Sequence, residues 1–225
     1  GYLTYWDNLL ENVPGLWIDT CASGGGRMDL ETLRRSVPLH RTDALIEADS
    51  YITTQTISQS LFNWIPFNGD QANDSAASVV TKYGIRSAFA PSINMNFNPY
   101  AATTDFKLMK GLCEEWEIIK DFYYADYYEL TGWTRDKDSW AAWEFFDPEK
   151  DAGFLQVFRR RTDDNSITLQ VKGLNPKTTY YITDFDGKND ISATGAELAA
   201  GYTVKLPKRL SAATLYIGKE KIAVP

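Results

Sequence analysis

The chain has 225 residues, 44% hydrophobic and 24% charged, an ordinary globular composition that can bury a core in one large domain or two modest ones. A net charge of -7 and a pI near 4.8 exclude recognition of nucleic acid through phosphates, which takes basic patches. Two cysteines, Cys21 and Cys113, and one histidine, His40, give no disulfide framework and no metal-ligand spacing, so no cofactor and no metal are expected. No run of 18 apolar residues marks a membrane span and no charged-then-apolar leader opens the chain, so no membrane partner is expected.

In chain order, Leu3, Trp6, Leu9 and Leu10 fall at helical spacing before Pro14-Gly15, and the apolar run Leu16-Trp17-Ile18 then reads as a strand ending in Asp19-Thr20-Cys21. Glycines follow at Gly24, Gly25 and Gly26, a short helical pattern covers Met28 to Arg35, and a second strand, Val37 to His40, ends in Arg41-Thr42-Asp43. Small residues after a strand let a ligand approach the backbone, and a carboxylate past the next strand end points into the same space. The two loops are expected to form one wall of a pocket.

A Thr- and Gln-rich helical pattern spans Ala48 to Asn63, Trp64-Ile65-Pro66-Phe67 reads as a third strand ending at Asn68-Gly69, and Asp70 to Asp74 reads as a polar loop. Ser75 to Ile85 reads as a helix, Ser87 to Met95 as extended chain, and Phe106, Met109, Leu112, Trp116, Ile119 and Tyr123 mark the strongest amphipathic helix. After Tyr127 the period changes from helical to alternating, at Ile167, Leu169 and Val171 and again at Tyr202, Val204 and Leu206, with turn signals between. The expected fold is therefore α/β plus all-β. It comprises a partial (β/α)8 barrel of about four βα units over 1–127, then an antiparallel β-sandwich domain over 128–225. Four barrel strands leave open edges, which invite self-association.

The run Cys21-Ala22-Ser23-Gly24-Gly25-Gly26-Arg27-Met28-Asp29, with Asp43 placed 22 positions after Cys21, resembles the signature of glycoside hydrolase family 36, the retaining α-galactosidases and their relatives. The family often reads Thr-Ser-Asp where this chain reads Arg41-Thr42-Asp43. The resemblance implies that Asp43 is the general acid/base and that Cys21, Ser23, Gly24 and Gly25 line the sugar pocket. It also implies that the chain is a C-terminal piece, barrel strands five to eight plus the last β-domain. The family's nucleophile is an Asp in a Lys-x-Asp strand end upstream of the Cys-Ala-Ser-Gly motif, and no such sequence precedes Cys21, so the chain holds no nucleophile and is expected to be inactive alone. The ligand implied is an α-galactoside or related oligosaccharide.

Each of these residues also has a structural reading. A carboxylate at a strand end is often a helix cap or an ion-pair partner, a cysteine is more often a small buried hydrophobe than a nucleophile, and a glycine run alone is only a turn. Asp7, inside the first helix, reads as a solvated carboxylate; Asp19 as a hydrogen-bonding residue beneath the pocket; Asp29 as a cap; and His40 as a structural strand-end residue. Trp64 either stacks on a sugar or belongs to the core. Asn73-Asp74-Ser75 is a glycosylation sequon by pattern only. Two other functions compete with hydrolysis: galactosyl transfer of the raffinose-synthase type, and a non-catalytic carbohydrate-binding or assembly module built on the β-domain.

Overall fold

The computed structural model describes residues 1–21, 24–43, 50–73, 81–102 and 104–225. Helix α1 (Tyr2–Asn12) opens the chain and has no buried residue, its apolar positions Leu3, Trp6, Leu9 and Leu10 being only half-covered. The short helix α2 (Leu30–Leu33) is capped by Asp29, whose carboxylate accepts from the Thr32 backbone N–H at 3.0 Å and from its hydroxyl at 2.7 Å. Helix α3 (Ser50–Leu61) follows, then strand β1 (Gly69–Asn73), helix α4 (Lys82–Ser87), strand β2 (Ser92–Asn96) and helix α5 (Phe106–Ile119), which tightens into a 3-10 turn over Lys120–Tyr124.

In place of four full barrel strands, the first part of the chain has β1 and β2 paired in parallel, a single parallel bridge between Asp19 and Val37, and one hydrogen bond from the Gly69 N–H to the Pro38 carbonyl at 2.8 Å. The third strand begins at Gly69, where the sequence suggests it ends. The residues from Phe62 to Ile65 instead finish α3: the N–H groups of Trp64 and Ile65 both donate to the Leu61 carbonyl. The helix expected from Ser75 is described only from Lys82, since residues 74–80 lie outside the described set, and with them Asp74 and Ser75 of the sequon. None of the described helices is long and apolar enough to cross a membrane.

The rest of the chain is antiparallel. Strands β3 (Asp126–Glu129), β4 (Trp140–Asp147), β5 (Ala152–Arg159), β7 (Thr179–Asp184), β8 (Ile191–Thr194) and β10 (Ser211–Gly218) make a six-stranded sheet in the order β3-β4-β5-β10-β7-β8. Strands β6 (Ser166–Leu169) and β9 (Tyr202–Lys205) form a two-stranded ribbon, and the capping-boxed helix α6 (Gly195–Ala200) precedes β9. The boundary expected at 127/128 falls inside β3.

The large sheet is covered on both faces. One face, carrying Trp143, Phe145, Phe154 and Phe158, packs on Phe62, Tyr83, Ile85, Phe89, Leu112 and Ile119 from the helical part. The other, carrying Leu155, Val157, Tyr180, Ile182, Leu215 and Ile217, packs on the ribbon through Leu169, Val171, Tyr202 and Val204. This is why β5 is buried at every position and shows no alternation, whereas the ribbon strand β9 alternates buried and exposed.

Glu144 sits on the ribbon side of β4, fully buried. Its Oε2 accepts from the Lys172 N–H at 2.9 Å, and its Oε1 has no hydrogen-bond partner among the described residues. Burial pushes its carboxyl up to about 8, against the pull of Lys172. A native carboxyl that holds its proton above the unfolded value stabilises the fold fully at low pH and loses that contribution as pH climbs toward 8. We therefore expect the urea midpoint of the wild-type chain, measured against that of Glu144→Gln, to fall between pH 5 and pH 9 by an amount worth roughly 3–5 kcal/mol. A difference independent of pH would show that Glu144 is ionised in the folded protein.

Candidate functional site

The two loops named by the sequence meet at the carboxyl ends of the bridged segments. The Thr20 N–H donates to the Val37 carbonyl, and the Asp19 carboxylate accepts from the Leu39 N–H at 3.0 Å, so the first segment holds the second in register. Beyond this point Cys21, His40 and Asp43 converge, with the Cys sulfur, an imidazole nitrogen and a carboxylate oxygen all within 4.8 Å of one another. His40 Nε2 lies 2.8 Å from Asp43 Oδ1, with Asp43 the more open of the two, its side chain 64% exposed against 23% for His40. Cys21 is half-buried.

Gly24 and Gly25 make this approach possible. Both have positive φ, 71° and 89°. A Cβ on Gly24 would stand 2.7 Å from the Asp43 backbone nitrogen and 3.1 Å from its Cγ, and one on Gly25 would strike the Arg41 carbonyl oxygen. The close approach these glycines permit is thus to the neighbouring loop, directly beside the Asp43 carboxylate. Ser23, with Ala22, lies outside the described residues.

Beneath the pair runs a buried network that sequence reasoning missed. The Arg41 side chain is fully buried and donates to Asn68 Oδ1 at 2.9 Å, to Ser58 Oγ at 2.9 Å and to the Asp70 carboxylate. Asp70 is equally buried; burial pushes its carboxyl up, and Arg41 with the Gln71 N–H at 2.8 Å pulls it back. The Gln71 amide nitrogen in turn reaches within 3.4 Å of His40 Nε2. Asp70 was hidden because a strand placed at Trp64 to Phe67 turns it into a loop residue. Arg41 had a visible signal, a charged residue replacing a small one two positions before Asp43.

The other named residues stand apart. Asp7 is on α1, half-exposed and paired with Arg35 at 2.5 Å, which holds its carboxyl below the ordinary range. Trp64, 47% exposed, lines a groove with Leu30, Leu33, Arg34 and Phe67 at the start of β1, so the structure does not bring it to Cys21, His40 and Asp43. Arg27 of the glycine loop lies over the Tyr2 ring at 5.0 Å. A solvent-facing carboxyl next to an imidazole is suited to giving and taking a proton at a bound ligand.

No family model matches the sequence, and no curated protein matches it. Solved structures do share the fold. They include the galactosidase domain of the α-galactosidase–sucrose kinase AgaSK (TM-score 0.75, 19% identity) and the family 36 α-galactosidase AgaA of Geobacillus stearothermophilus solved with raffinose (TM-score 0.73, 20% identity). The α-galactosidase of Lactobacillus brevis is a third (TM-score 0.76, 16% identity). In each comparison 96% of this chain is matched and it spans 30% of the solved chain, in the C-terminal part of the enzyme.

Removing one charge of a buried pair leaves the other uncompensated. Arg41→Leu is accordingly expected to cost about 3–5 kcal/mol of stability, and Arg41→Leu combined with Asp70→Leu to recover most of it. Denaturant unfolding of the two single variants and the double variant checks this, additive losses being the result that contradicts a coupled pair.

Proposed function

We propose that this chain is the C-terminal portion of a retaining α-galactosidase-like glycoside hydrolase, with Asp43 as its general acid/base. The observation that carries the reading is the convergence of Cys21, Gly24, Gly25 and Asp43 at one point of a fold shared with such enzymes. The first part of the chain, to 127, would be the second half of a (β/α)8 barrel, and 128–225 the β-domain that follows it. The resemblance also gives Ser23 a part in binding the sugar.

Retention needs two carboxyl groups about 5–5.5 Å apart. In the first step a nucleophilic carboxylate attacks the anomeric carbon, the glycosidic C–O bond breaks, and the Asp43 carboxyl gives its proton to the departing oxygen. In the second, Asp43 as carboxylate takes a proton from water, whose oxygen attacks the anomeric carbon, breaks the ester bond and frees the enzyme carboxylate. Asp43 fills one role only, and neither Asp7 nor Asp19 is placed for the other, Asp7 being paired to Arg35 on α1 and Asp19 to the Leu39 backbone. The nucleophile would come from a preceding barrel strand, so the chain alone should leave an aryl α-galactoside intact. His40, at 2.8 Å, either donates its N–H to the carboxylate or accepts the carboxyl proton, and so positions Asp43. The substrate is an α-galactosyl oligosaccharide.

Among the described residues β2 pairs only with β1, and Trp17 is 69% exposed beside the Asp19 bridge. These are the edges a completed barrel would cover, and the chain alone is expected to self-associate through them. Sedimentation should show the weight-average mass rising with concentration; a monomer over a wide range overturns it.

The decisive test is Asp43→Ala in the longer enzyme. A dinitrophenolate leaves without protonation, so the first step survives while hydrolysis of the glycosyl-enzyme stalls and the intermediate accumulates. Azide needs no base, and by a second inversion it should give an α-galactosyl azide. Wild-type rates on a poor alkyl leaving group, or a β-azide product, would return Asp43 to a structural role.

A further inference from the structure

We infer that Cys21, His40 and Asp43, brought within 4.8 Å of one another from two separate loops, form a binding site for one borderline-soft divalent cation such as zinc. Spacing along the chain does not mark the cluster, because its only histidine and Cys21 stand 19 positions apart with no repeat of either ligand nearby. The fold creates the cluster by seating the glycine loop on the Arg41–Asp43 backbone.

The donor set is one thiolate sulfur, one imidazole nitrogen and one carboxylate oxygen. That mixture suits zinc and cobalt, and is poorly suited to magnesium or calcium, which take oxygen alone. Bond lengths of about 2.0–2.3 Å around a tetrahedral zinc put neighbouring ligand atoms roughly 3.3–3.7 Å apart. The separations here, 2.8 Å for His40 to Asp43 and no more than 4.8 Å for the others, are of the same order as that spacing. The nearby cation does not oppose it: the Arg41 guanidinium is turned away into the pair with Asp70. With Asp43 open to solvent, a water completes four-coordination.

Binding balances as the loss of one proton. The Cys21 thiol gives its proton to buffer as the metal–sulfur bond forms, His40 coordinates through neutral Nε2 with its proton on Nδ1, and Asp43 enters as carboxylate. Resting on the glycosidase reading, a bound cation would also withhold the Asp43 carboxylate from acid/base work. The binding claim itself does not need that reading, and its test reads metal and not turnover.

The probe is cobalt(II) added to the reduced, purified chain at about pH 7.5. A thiolate-to-cobalt charge-transfer band should appear in the near ultraviolet, saturate at one equivalent and vanish when zinc is added. Cys21→Ser should abolish it and Cys113→Ser preserve it, since Cys113 faces Met95 on α5 and β2. Loss of a ligand should weaken binding by at least about tenfold, the lower end for disturbing an outer partner, so His40→Gln and Asp43→Asn should both shift the titration. Circular dichroism checks that each variant is folded, and the wild-type titration stands without any variant. No saturable band in the wild-type chain, or a band that survives Cys21→Ser, overturns the site.

Discussion

The structure depends on a helix that is polar and yet buried. Along α3, Thr54, Gln55, Thr56, Ser58 and Gln59 are all withdrawn from water, and an unpaired polar group there would cost on the order of 1–3 kcal/mol. Partners come from both sides. Ser58 accepts from Arg41, while on the sheet side Arg160 donates to Gln55 Oε1 at 3.1 Å and Thr56 Oγ1 at 3.1 Å, and Gln59 donates to the Thr131 carbonyl at 2.8 Å. Trp133 Nε1 and Tyr127 Oη add hydrogen bonds to the α3 carbonyls of Thr56 and Gln59. Hydrophobic packing is non-directional, but such a seam has one register, so α3 can lie against the sheet in only one way.

That fixed helix places the cluster of Cys21, His40 and Asp43. Arg41 spans from Ser58 on α3 to Asn68 and Asp70 at β1, so the residues flanking it in sequence, His40 and Asp43, inherit their positions from groups at the protein's centre. Desolvating a guanidinium and a carboxylate costs several kcal/mol per ion, and the pair offsets part of it because Asn68 and Ser58 accept from the guanidinium and the Gln71 N–H donates to the carboxylate, while among the described residues the Arg41 Nε finds no acceptor. The benefit is precision: a carboxyl at the rim stays exposed while its backbone is tied to a buried ion pair.

How much of this was legible depended on whether a residue's environment leaves a local pattern. The glycine loop, the spacing to Asp43 and the capping role of Asp29 are short-range features, and they stand in the sequence as they stand in the fold. The ribbon strands were legible because one face meets solvent, giving Tyr202 and Val204 their alternation. The central strands were not: WAAWEFFD and AGFLQVFR are buried on both faces, so nothing alternates. The third barrel-type strand was misplaced because Trp64 to Phe67 is apolar, whereas the actual strand, Gly-Asp-Gln-Ala-Asn, is polar for the sake of Arg41 and His40. Trp64 drew attention by residue type, and it lines the groove at the start of β1, apart from Cys21, His40 and Asp43. The meeting of Cys21, His40 and Asp43 is tertiary, and no spacing rule contains it.

The two halves also share one core, which bears on what the β-domain is for. Arg86 of α4 donates twice to Glu115 of α5, at 2.9 and 2.7 Å, and also to Asp186 and the Ala212 carbonyl, joining the helices to the loop after β7 and to β10. Around this network Trp143, Phe145, Phe154 and Phe158 are at most 2% exposed, and the helices supply the cover. A binding module that works on its own does not bury one whole face of its sheet under another segment, because separation would expose a large apolar patch. The sheet is better understood as the rigid back of the helical part. Tyr127 on β3 packs to the helix side and Tyr128, the next residue, to the ribbon side, so the strand that begins the sheet ties both cores together.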